Sequence, residues 1–174
     1  MSRREPLIIN DYINKSTLFA EPMKKIQDSI INECTKSLTD LMVEIREKLK
    51  ENDTLSDYCL EHYILDLANE LYFVGNCVEK IGIQEDACKA IRQKAYTENR
   101  QSTNGTVADR NNMAEKCVIN ETMVLCIYNR SYKAVKICMD GGYEMLNSLK
   151  KIMNRRISEL ELSKSKYIGE LRNE

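Results

Sequence analysis

The sequence predicts an all-α protein: a long antiparallel helical hairpin, coiled-coil-like in its spacing, with an additional N-terminal helix and an extended N-terminal arm. Three observations carry this. Apolar residues recur at three- and four-residue steps over most of residues 22–165, the period of a helix with one buried face. Of the 174 residues 43% are hydrophobic and 30% charged, enough for a core and for solvated outer faces. Six glycines and two prolines are too few for the turns of an all-β fold.

Residues 1–20 read as the arm, because Pro6, the β-leaning run Leu7-Ile8-Ile9 and turn-like Asn10-Asp11 do not look helical. The apolar run is far too short for a signal peptide or a membrane span, so a cytoplasmic protein is expected. Its three apolar side chains need a surface to dock on.

Residues 21–52 form the N-terminal helix. Glu21-Pro22 places proline in a first helical turn, after which Met23, Ile26, Ile30, Cys34, Leu38, Leu41, Ile45 and Leu49 lie on one face. Asn52-Asp53-Thr54 interrupts the pattern with residues that cap helices.

The hairpin occupies residues 53–165. Its first limb has the cleanest heptad in the chain, Leu60, Ile64, Leu67, Leu71, Val74, Val78 and Ile81. Ala87, Cys88, Ile91 and Ala95 keep the spacing, so the helix is expected to continue through Gly82 to about Arg100. Gly75, in a helix interior, reads as a notch for close helix approach. The turn falls near 101–106, where Gln101-Ser102-Thr103-Asn104-Gly105 precedes a capping box, Thr106-x-x-Asp109. The second limb carries Met113, Cys117, Val124, Ile127, Ser131, Val135 and Cys138. Gly141-Gly142 reads as a break or hinge, beyond which Leu146, Leu149, Met153, Ile157 and Leu160 continue, and residues 166–174 form a polar tail.

With the tip at Thr103, residues whose numbers total about 206 should face one another, setting 70–76 beside 130–136. That register brings Cys88 near Cys117 and Cys77 near Cys126. The seven cysteines are an odd number without a Cys-x-x-Cys pair, so free thiols are expected and neither a metal site nor a disulfide framework. The limbs also complement each other in charge. Residues 57–86 hold seven acidic side chains and one lysine, and 130–156 hold seven basic and two acidic ones.

The span from Leu71 to Lys164 resembles a group of small uncharacterised bacteriophage proteins of long antiparallel helical-hairpin type. The resemblance rests on Lys94-Ala95-Tyr96, on Thr106-Val107-Ala108-Asp109-Arg110 after the turn, on Met113-Ala114-Glu115, and on Ile127-Tyr128-x-x-Ser131-Tyr132-Lys133. It implies a viral or prophage origin, the host cytoplasm as location, and a setting in phage DNA recombination or replication. The chain departs from the group in its extra N-terminal residues and in Gly141-Gly142, where the second helix would normally run on.

No catalytic constellation is legible. His62 is the single histidine, flanked by Glu61 and Tyr63 and off the apolar seam, and reads as a solvated side chain. Asp140-Gly141-Gly142 lacks the strand, lysine and third glycine of a nucleotide loop. Pairs such as Glu61 with Asp66, or Glu85 with Asp86, read as ordinary acids of helix surfaces. No cofactor, metal, membrane or small-molecule substrate is implied, and no enzymatic activity is expected.

The leading expectation is a protein-interaction module that binds a protein partner or itself, a homodimer above all, with inhibition of a bacterial host defence complex as one specific form. The alternative is an accessory factor that holds single-stranded DNA. Its candidate surface is Tyr128, Arg130, Tyr132, Lys133 and Lys136, joined by Lys150, Lys151, Arg155 and Arg156, because aromatics stack on bases while cations meet phosphates. The net charge of −1 provides no global attraction to nucleic acid, so such binding would rest on that patch alone.

Overall fold

The computed structural model describes the backbone of residues 5–51 and 55–171, and the side chains of residues 14, 16–51 and 55–164. Among the described residues the fold is all-α, with four helices and no strand: α1 (Glu5–Glu51), α2 (Asp57–Ser102), α3 (Val107–Cys117) and α4 (Ile119–Leu171). The three long helices are shared between two compact units. One holds residues 1–34 and 76–136, the other 35–75 and 137–174.

In the second unit α1, α2 and α4 meet around Gly142. A Cβ on that residue would lie 2.9 Å from Leu71 Cδ2 and 3.2 Å from Leu38 Cδ2, so only glycine admits both leucines. Leu38, Ile45, Leu60, Leu67, Leu146 and Leu149 complete this core. Tyr63 donates to Glu44 at 2.9 Å while Leu71 and Leu38 both meet Gly142, and these two points set α1 antiparallel to α2. In the first unit Val78, Ile81, Ala114, Val118, Ile127 and Val135 are buried.

The heptad on α2 is confirmed, with every member buried except half-buried Ile64. Thr106 forms the capping box with Asp109, accepting from its backbone N–H, and this pairing holds the Asp109 carboxyl below its ordinary range. Gly105, at φ +132, makes the reversal before it, in a backbone region that disfavours side chains.

Several expectations are corrected. Residues 5–20 are helix rather than an extended arm, and α1 passes through Pro22. Proline fixes φ near its helical value and removes one hydrogen bond, here to the Leu18 carbonyl, in an exposed stretch where water can take its place. Whether Leu7, Ile8 and Ile9 dock, and how Asn52-Asp53-Thr54 caps, lie outside the described residues. The stretch assigned as a polar tail is helical as far as Leu171.

Gly141-Gly142 neither breaks nor hinges the chain. α4 runs through it, because the helix needs the missing side chain at Gly142 to approach its neighbours. Gly75 is no notch, since a Cβ there would meet nothing within 4 Å. The second limb breaks instead at Val118, whose φ of −103 and ψ of 20 end α3. Arg92 pins the break from α2, donating to Glu115 at 2.8 Å and to Thr122 Oγ1 at 2.7 Å.

The break moves the pairing register. In the first unit Gly82 faces Tyr132, Glu85 accepts from Asn129 at 2.8 Å and Arg92 reaches Thr122, all pairs whose numbers total 214. In the second, Leu71 with Gly142 and Asp57 with Arg156 total 213. The expected 206 is thus displaced by about one heptad, two helical turns, which leaves the same faces in contact. Cys77 accordingly meets Cys34 rather than Cys126, whereas Cys117 is exposed.

Candidate functional site

The nine residues expected to form a cationic, tyrosine-bearing surface divide between the two units. Tyr128, Arg130, Tyr132, Lys133 and Lys136 belong to the first, and Lys150, Lys151, Arg155 and Arg156 to the second. In the first, Lys133 and Lys136 are exposed, whereas both tyrosines are half-buried. The Tyr132 ring packs on α2, where a Cβ at Gly82 would lie 3.6 Å from its edge. Packing therefore uses ring surface that base stacking would need.

In the second unit Arg156 has a structural role. Its Nη1 donates to the Leu55 carbonyl and, at 2.8 Å, to Asp57, fastening α4 to the start of α2. Arg155 pairs with Glu159 at 2.9 Å on the exposed helix surface. Lys150 and Lys151 are exposed, and neither has an ion pair among the described residues.

The same unit presents a face that spacing alone did not single out. The outer side of α2, opposite its buried heptad, carries Tyr58, Leu65, Tyr72 and Phe73, exposed by 68%, 62%, 69% and 60%. Tyr58, Leu65 and Tyr72 recur every seven residues, so they form one stripe. The rings are ordered by their neighbours: Tyr58 lies 4.0 Å from His62, and Tyr72 meets Phe73 edge to face at 5.9 Å. His62, read as a solvated side chain, is exposed as expected and bonds the Tyr58 carbonyl oxygen at 2.9 Å.

Beside the stripe, α1 and α2 border a groove of about 640 Å³. Asp40, Glu44, Asp66 and Glu70 line it together with Leu41, Asn69 and Phe73, and no lysine or arginine does. Among the described residues, no group of His, Cys, Asp and Glu is arranged to hold a metal ion. The arrangement can instead attract a cationic surface and bury apolar groups against the aromatics. The usable signal in the sequence was the absence of Lys and Arg between residues 55 and 75, which hold Asp57, Glu61, Asp66 and Glu70.

Two further apolar patches remain. In the first unit Phe19, Met23, Cys126, Ile127 and Arg130 help to line a cavity of about 460 Å³, with Leu18 and Phe19 exposed by 75% and 62%. In the second, α4 continues past the Arg156–Asp57 contact, and Ile157, Leu160 and Leu162 are exposed. No helix among the described residues is long and apolar enough to cross a membrane.

Titratable groups elsewhere serve packing. Asn129 donates to Glu85 and Lys89 pairs with it at 3.0 Å, which together hold the Glu85 carboxyl below its ordinary range. Burial, helped by contact with Cys77, pushes the Cys34 thiol up to about 12.

No family model matches this chain, and neither a curated protein nor a solved structure does.

Proposed function

We propose that the protein is a non-enzymatic helical interaction module whose outer faces bind protein. One observation carries this reading. Among the described residues twenty large apolar or aromatic side chains are exposed, against fifteen hydrophobic side chains that are buried. Scattered singly, such residues are ordinary on a protein surface. Here they gather in stripes on α2 and at the end of α4, the pattern of faces that helices cover with a partner. The resemblance to phage hairpin proteins makes a bacterial host complex the natural partner.

The test is affinity purification of the full chain from nuclease-treated host extract. A protein partner retained by wild type and by Lys133→Glu/Lys136→Glu, but lost with Leu160→Asp/Leu162→Asp or Leu18→Asp/Phe19→Asp, supports the module. Recovery of nucleic acid in untreated extract, lost when Lys133 and Lys136 are reversed and weakened steeply by salt, would replace it with the DNA-accessory reading.

A further inference from the structure

We propose that the acidic, aromatic outer face of α2 in the second unit, with its groove against α1, is covered by the cationic outer face of α4 from a second copy of the chain. This rests on the interaction-module reading and names one partner for it. The groove offers Asp40, Glu44, Asp66 and Glu70 without a neutralising cation among its lining residues. Two such faces repel one another, so the stripe on α2 does not pair with itself.

The complementary surface lies on the same chain. Residues 145–158 of α4 contain Lys150, Lys151, Arg155 and Arg156 and no acidic residue. Arg156 is turned inward to Leu55 and Asp57, which leaves Lys150, Lys151 and Arg155 on the exposed side. The Arg155–Glu159 pair is exposed, 82% and 60% at its two side chains, so it yields readily to another carboxylate. Tyr58, Tyr72 and Phe73 add exposed ring faces, on which lysine and arginine pack favourably. Each copy carries both surfaces, on opposite sides of the second unit because α4 packs against the inward faces of α1 and α2, so the contact is head to tail and repeats from copy to copy, and the nearly balanced net charge of −1 opposes it little.

Mass is read by sedimentation or light scattering on the full chain, with circular dichroism as the folding control. Wild type should have at least twice the 20.2 kDa chain mass at low salt and fall towards 20.2 kDa as salt rises to roughly 1 M, where the screening length is ~3 Å. Asp66→Lys/Glu70→Lys and Lys150→Glu/Lys151→Glu should each weaken self-association at least tenfold. Mixing the two variants should restore it, since the reversed groove then meets the reversed helix while the other contact is native. A wild type that stays at 20.2 kDa at high micromolar concentration overturns the proposal, as does an assembly indifferent to both reversals or a mixture that stays monomeric. Each of these failures leaves the interaction-module reading intact, because that reading is judged by capture of a different protein.

Discussion

Leu71 Cδ2 lies where a side chain at Gly142 would begin: a Cβ there would stand 2.9 Å away, inside van der Waals contact. Leu71 is 2% exposed and Leu38, on the other side, 0%, so neither has space to withdraw. Gly142→Ala should therefore destabilise the chain by about 1 kcal/mol, overpacking of ~1–3 kcal/mol being partly offset by alanine's helix propensity of ~1 kcal/mol. Gly75→Ala meets nothing within 4 Å and should stabilise by about 1 kcal/mol. Urea denaturation checks both, and the opposite signs are the decisive feature.

Arg156 joins α4 to the start of α2 through the Leu55 carbonyl and the Asp57 carboxylate. Arg156→Ala should lower stability by about 1 kcal/mol, because the Leu55 carbonyl loses its donor in a partly buried position. Asp57→Ala should cost less than half as much, since the contact with the carbonyl survives. Thermal unfolding of the two variants measures the difference.

Glu85 titrates below its ordinary value of 4.5 because Asn129 and Lys89 hydrogen-bond its charged form. The unfolded chain binds this proton more readily than the folded one. The stabilisation is thus complete above pH 4.5 and is lost as pH falls through the lowered value. In Glu85→Gln the acid limb of the stability profile should flatten. An unchanged slope of urea midpoint against pH below 4.5 would count against this account of Glu85.

Cys34 should be the slowest of the assayable thiols to alkylate. Its pKa of about 12, set first by burial and then by Cys77, leaves almost no thiolate near neutral pH. Cys59, Cys117 and Cys126 are exposed and should react at least tenfold faster. Timed alkylation followed by peptide mass spectrometry ranks the sites, and early labelling of Cys34 would contradict the packing around it.

The sequence by itself determined the all-α class and the inward face of α2, whereas Ile26, Leu49, Met113, Cys117, Val124, Ile157 and Leu160, which share the helical spacing of the other seams, are exposed. The heptad from Leu60 to Ile81, the capping box at Thr106 and the reversal at Gly105 are local features, because a helix displays its period and its ends within a few residues. Tertiary structure decided what depends on two elements meeting. Gly142 reads as a breaker until Leu38 and Leu71 are placed against it, and Gly75 reads as a notch until nothing is found there. The break at Val118 shifts the register by one heptad, a displacement that hydrophobic period cannot reveal because it returns the same face to the partner. The groove on α2 was hidden for a related reason. Asp66 and Glu70 are ordinary surface acids in one helix, and they become a binding surface only when α1 brings Asp40 and Glu44 beside them.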